Sequence, residues 1–156
     1  MSKINYINGD ATAPKAIGNK IIVHICNDIG GWGKGFVLAI SKRWQEPESK
    51  YREWFASKET FQLGECQFIK VEQDIWIANL IGQHKIYSDA NGIPPIRYEA
   101  VEIGLEKVAK FAQELKASIH MPRIGCGLAG GKWEKIEAII QKTLVSNEVD
   151  VTVYDF

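Results

Sequence analysis

The sequence predicts an α/β fold: a mostly parallel sheet with helices on both faces. Three observations predict it. The run from Ile21 to Cys26 is apolar apart from His24, the pattern of a strand buried on both sides. Strand-like and helix-like segments alternate along the chain, which favours parallel strands joined by helical crossovers. Two of the strands run directly into glycine-rich loops that open helices.

A first short strand covers Ile4 and Tyr6 and stops at Asn8-Gly9, with Asp10 at the turn. The second strand, Ile21–Cys26, leads through Asn27-Asp28 into Gly30, Gly31, Gly33 and Gly35. The helix beyond has Phe36, Ile40 and Trp44 at four-residue spacing, a stripe that faces a core. Pro47 suits the first turn of the next helix, with Tyr51, Trp54 and Phe55 as its buried side. Residues 65–71 and 75–80 read as paired strands around a turn at 72–74. The second of them exits at Gly82-Gln83-His84. Residues 85–96 are polar, contain Gly92, Pro94 and Pro95, and read as a loop. Val101, Leu105, Val108, Ala112 and Leu115 define an amphipathic helix over 98–115. A strand at 118–121 enters a loop with Gly125, Gly127, Gly130 and Gly131, four glycines in seven residues. A helix with Trp133, Ile136, Ile140 and Leu144 follows, then a last strand at 151–154.

The chain of 156 residues suits one domain, 1–156, and a chain of that size buries about 70% of its unfolded surface. The formal net charge is zero, which argues against a nucleic acid held on a basic face. Three cysteines, Cys26, Cys66 and Cys126, form no C-x-x-C pair, so neither a disulfide frame nor a structural zinc site is expected. No carboxylate and histidine cluster has metal-ligand spacing, so no metal and no cofactor are expected. No apolar run reaches membrane-spanning length and the amino-terminal residues lack a signal-peptide core. A cytoplasmic monomer is expected.

Glycine admits positive φ and lets a ligand approach the main chain. The first N–H groups of a helix lack internal acceptors and lie at the positive end of its dipole. A glycine loop feeding a helix therefore makes a phosphate cradle. Because ligands of such sheets lie at the carboxyl ends of strands, both glycine loops and the Gly82 exit should converge on one cleft. Two facing loops suit a diphosphate with a ribose beyond it. Neither loop ends in G-K-[ST], and neither is a G-x-G-x-x-G fingerprint with its acidic partner, so triphosphate and nicotinamide dinucleotide readings lose weight.

Four motifs carry a resemblance that covers essentially the whole chain. They are N-G-D at Asn8–Asp10, V-H-I-C-N at Val23–Asn27, G-W-G-K-G-F at Gly31–Phe36 and P-R-I-G-C-G-L-A-G-G-K-W at Pro122–Trp133. Together they resemble the macrodomain family, a three-layer α/β/α fold with a central mixed, mostly parallel sheet that binds ADP-ribose. The resemblance implies roles. Asp10 accepts from the adenine amino group beside Ala11, and Asn27 contacts the distal ribose. Gly33, Lys34, Gly35 and Phe36 wrap the distal ribose and diphosphate. Gly125, Cys126, Gly127 and Leu128 hold the diphosphate through main-chain amides, so a neutral protein can bind it without lysines. Two branches look similar: ADP-ribose 1″-phosphate phosphatases and terminal ADP-ribose glycohydrolases. The glycohydrolases use a lysine after the central strand and an aspartate in the second loop, where this chain has Gln83 and Ala129. The phosphatase branch has a histidine where His24 stands.

His24 is therefore the expected general acid/base or phosphate contact, because imidazole exchanges a proton near neutral pH. Asn27 and Asp28 complete the expected catalytic set, with Asp28 positioning water or acting as base. Lys34 can pair with phosphate as a point charge. Arg123 either sits under the cleft or forms an ion pair elsewhere. His84 reads as an exposed loop residue and Cys126 as a small buried one rather than a nucleophile. Two readings follow. One is an enzyme that hydrolyses ADP-ribose 1″-phosphate or a related ADP-ribosyl ester. The other is a module that recognises ADP-ribose, free or attached to a macromolecule, without turnover. A plain nucleotide-binding regulator is a third.

Overall fold

A computed structural model describes residues 3–156. Six strands form one sheet: β1 (Ile4–Asn8), β2 (Lys20–Asn27), β3 (Cys66–Glu72), β4 (Ile75–Gln83), β5 (Ser118–Met121) and β6 (Val151–Asp155). Their order is β1-β6-β5-β2-β4-β3. Every pairing is parallel except β3 with β4, so the sheet is mixed and mostly parallel. The antiparallel edge follows from the short turn at Gln73-Asp74, which leaves no room for a crossover.

Alternation along β2 divides the core into two layers. Ile21 and Val23 face one side, where they pack with Leu80, with α3 (Tyr98–Leu115) and with α4 (Trp133–Thr143). Ile22 and Cys26 face the other, against Trp32, Ile40 of α1 (Phe36–Arg43) and Tyr51 of α2 (Glu46–Ser57). The long helix α3 buries Val101, Leu105, Val108 and Ala112 on one stripe, as its spacing predicts. Leu115, expected on that stripe, is only partly buried at the helix end.

Three further details differ from the sequence expectation. Trp44 lies just outside α1 in an extended conformation rather than in its stripe, and its indole N–H reaches Glu72. Of the expected buried side of α2, Tyr51 is buried, whereas Trp54 and Phe55 are half-buried. Leu144 is buried but falls beyond α4, where a short 3₁₀ turn (Val145–Asn147) steers the chain toward β6. Among the described residues no helix is long and apolar enough to cross a membrane.

Candidate functional site

Three loops leave the carboxyl ends of neighbouring strands and interlock. The loop after β2 carries residues 28–35, that after β4 residues 84–97, and that after β5 residues 122–132. Asp28 joins the first to the second: its carboxylate accepts from Nδ1 of His84 at 2.7 Å and from the Lys85 amide at 2.8 Å. The second joins the third where the Ile96 amide donates to Ala129 O at 3.1 Å, with the Ile96 side chain packed into the space beside Gly125 and Gly131. The first meets the third between Gly35 and Leu128; a Cβ built on Gly35 would stand 3.6 Å from Leu128 Cδ1. The bends at Gly33 and Gly127 thus belong to one groove.

Glycine is required at two of these positions for different reasons. Gly35 precedes α1 with φ 85°, a conformation that L side chains rarely adopt. A Cβ on Gly131 would lie 2.5 Å from Gly125 O, the acceptor of its own amide. By contrast, a Cβ on Gly33 or Gly127 would meet nothing within 4 Å, so here the backbone faces open space. The amides of Gly33, Lys34, Gly35 and Phe36 in the first loop have no acceptor among the described residues. The same holds for Gly127, Leu128 and Ala129 in the third. Two sets of free N–H groups on touching loops, one of them at a helix start, form an anion cradle.

At one end the groove opens into a cavity of about 580 Å³ lined by Asp10, Ala11, Thr12, Phe36, Arg43 and Tyr154 among others. Asp10 Oδ1 is occupied by the amide and hydroxyl of Thr12 at 2.8 and 2.7 Å. Its other oxygen faces Arg43 at 3.4 Å. The Thr12 hydroxyl and then Arg43 hold the Asp10 carboxyl below its ordinary range, so it is an acceptor. Arg43, anchored on Thr12 Oγ1 at 2.7 Å, went unnoticed in the sequence because nothing there connects α1 to the first turn.

The expected catalytic set separates in the structure. His24 points between the sheet and the α1–α2 layer and is 2% exposed. Its Nε2 meets Oδ1 of Asn79, its cross-strand partner, at 2.5 Å, and its ring lies against Trp32 and Phe36. Burial lowers its pKa to about 4 despite the Asn79 bond, so the imidazole is neutral. Asn79 in turn donates to Pro47 O and Gln67 Oε1. His24, expected as the general acid/base, thus lies in the interior rather than at the loop amides; a long apolar strand continues past it, and alternation turns it inward.

Asn27, expected at the distal ribose, holds the first loop. Its Oδ1 accepts from the amides of Ile29 and Gly31 at 3.0 and 2.9 Å, and its Nδ2 donates to Gly31 O at 2.9 Å. The Tyr51 hydroxyl reaches both Asn27 O and Oδ1. These bonds shape the first loop and use one of the two Nδ2 donors. Asp28 remains at the rim, 16% exposed in its side chain, and is coupled to His84.

Lys34, Gly33 and Gly35 are exposed, and Phe36 walls the cavity. Leu128 is 66% exposed and Cys126 half-buried. Burial raises the Cys126 thiol pKa, with Arg123 pulling it the other way, which disfavours a thiolate nucleophile. Arg123 forms the ion pair that the sequence left open: both its Nε and Nη2 reach Asp155, and its guanidinium lies over Tyr6 and Trp133. Gln83 donates to Lys85 O, and Ala129 is buried, so no lysine–aspartate pair stands in the groove. Among the described residues no three His, Cys, Asp or Glu side chains gather as a metal site requires.

No family model matches the chain. It is 51% identical to a solved macrodomain protein from Streptomyces coelicolor, over 99% of each chain and with a TM-score of 0.87. It is 33% identical to the chromodomain-helicase-DNA-binding protein 1-like of Mus musculus over 99% of this chain, and spans only 18% of that larger protein. It is 27% identical to the ADP-ribose 1″-phosphate phosphatase of Lodderomyces elongisporus, over 97% of each.

Proposed function

The chain belongs to the macrodomain family, and on that footing we propose that it binds ADP-ribose in this groove and hydrolyses ADP-ribose 1″-phosphate or a related ADP-ribosyl ester. One observation carries the binding: the amides of Gly33–Phe36 and Gly127–Ala129, on two touching loops, have no partner among the described residues. They supply fixed dipoles for an anionic linker, with no lysine needed. The adenine occupies the cavity beside Asp10, whose Oδ2, 3.4 Å from Arg43, keeps a lone pair to accept from the exocyclic amine. The diphosphate lies between Gly33–Phe36 and Gly127–Ala129. The distal ribose then falls over the ends of β2 and β4.

For the reaction, amides already aimed at the charged groups need no reorganisation as charge moves, the usual source of electrostatic rate enhancement. Relatives over nearly the full chain that are ADP-ribose 1″-phosphate phosphatases support that substrate. The second reading, recognition without turnover, is favoured by the burial of His24 and by Gln83 and Ala129 in place of a lysine–aspartate pair. Calorimetry with ADP-ribose, together with phosphate release from the 1″-phosphate, tests both. Binding with turnover supports the hydrolase, binding alone leaves the recognition module, and equal affinity for AMP and ADP-ribose removes the proposed diphosphate and ribose contacts.

A further inference from the structure

His84 and Asp28 come from the ends of β4 and β2, which are adjacent and in register at Asn27 and Gln83. Their Nδ1–Oδ2 bond of 2.7 Å fixes the ring, and the second carboxylate oxygen is fixed by the Lys85 amide. The His84 backbone amide is itself anchored on Pro95 O at 2.8 Å. With Nδ1 donating to the carboxylate, Nε2 of the neutral ring is an acceptor, and it has no partner among the described residues. The His84 side chain is 44% exposed. From the adenine cavity at β1, β6 and β5, the sheet order leads through β2 to β4. The pair therefore stands at the opposite end of the groove from Asp10.

We infer that His84, oriented by Asp28, takes the proton from a water that attacks C1″ of the distal ribose; this rests on the hydrolase reading. The water oxygen forms the new bond to C1″. The bond from C1″ to the phosphate or carboxylate oxygen breaks, and that oxygen leaves with the electron pair. The water proton passes to Nε2, and Asp28 stabilises the imidazolium until it returns the proton to solvent. Attack at C1″ is favoured over attack at phosphorus because a phosphate or carboxylate leaves as a stable anion. A sugar alkoxide would need a proton donor, whereas the free Nε2 of His84 is placed to accept a proton. His84 is then a catalytic residue and Asp28 a positioning residue.

The test compares kcat for ADP-ribose 1″-phosphate with Kd for ADP-ribose. His84→Asn keeps an amide N–H for Asp28 and removes Nε2; kcat should fall about 10²–10⁴-fold with Kd unchanged. Asp28→Asn should lower kcat with little change in KM, through loss of the ring's tautomer and orientation. In ¹⁸O-water the released phosphate should carry no label. Label in the phosphate overturns the C1″ route. Wild-type kcat in His84→Asn, or a loss of kcat matched by an equal loss of ADP-ribose affinity, overturns the role of His84 while leaving the hydrolase reading in place. Tight ADP-ribose binding by the wild-type protein with no product overturns the hydrolase reading and this inference with it.

Discussion

Replacing Asn27 by alanine should damage the protein's stability and its ligand affinity together. Asn27 is 8% exposed and its side chain makes three hydrogen bonds to the backbone of Ile29 and Gly31. At a net worth of about 1 kcal/mol each, their loss costs about 3 kcal/mol. For a domain of this length that is a fall in Tm of about 6–12 °C. The first loop would also lose the geometry that aims the amides of Gly33–Phe36, so ADP-ribose affinity should fall with Tm. Scanning calorimetry on Asn27→Ala, Tyr51→Phe and the double variant measures both the cost and the coupling, since the Tyr51 hydroxyl shares the Asn27 acceptors. A Tm within about 2 °C of wild type would refute the reasoning, because it would mean that the loop holds its shape without those bonds.

Gly131→Ala should lower Tm by about 4–8 °C, since its Cβ meets a main-chain oxygen and overpacking of this kind costs about 2 kcal/mol. Gly127→Ala, with open space around its Cβ, should leave Tm unchanged and weaken ADP-ribose binding; a stable Gly131→Ala or an unstable Gly127→Ala contradicts the loop geometry. Burial lowers both His24 and His120 to a pKa of about 4, whereas the unfolded chain binds those protons near 6.5. Stability should therefore be full above 6.5 and fall as the pH drops from there toward 4, with a limiting slope of about 1.4 kcal/mol per pH unit for each histidine. Urea unfolding midpoints that do not move across that window would disprove the neutral, buried state of both rings. Arg123→Lys keeps the charge but loses the two-pronged bond to Asp155 and the planar contact with Tyr6 and Trp133, so Tm should fall; an unaltered Tm would show that the stack holds nothing.

Local patterns carried most of the architecture. The apolar run at Ile21–Cys26 marks β2 because parallel strands are buried on both faces, and the stripe of Val101, Leu105, Val108 and Ala112 marks α3 by its period. The two glycine loops were legible for the same reason: each is a strand exit and a helix start written within a dozen residues. Contacts between distant segments were not. Asp28 and His84 are 56 residues apart in the chain, and their bond exists only because β2 and β4 are neighbours. Asn79, which captures His24, is likewise fixed by the β2–β4 register, which no local pattern specifies. Hydrogen bonding decides the role of Asn27, and that depends on Tyr51 arriving from α2.

Ile96 is the side chain that fills the gap beside Gly125 and Gly131, and it is 4% exposed. It comes from the loop after β4 and plugs the neck of the loop after β5, where Gly125 and Gly131 meet, so that loop holds its shape before any guest arrives. A receptor held in shape this way spends little entropy on assembling itself, so more of its contact energy is left for affinity. Capture should then be governed by how often the guest meets the opening in the right orientation, and the empty and occupied backbones should nearly superimpose.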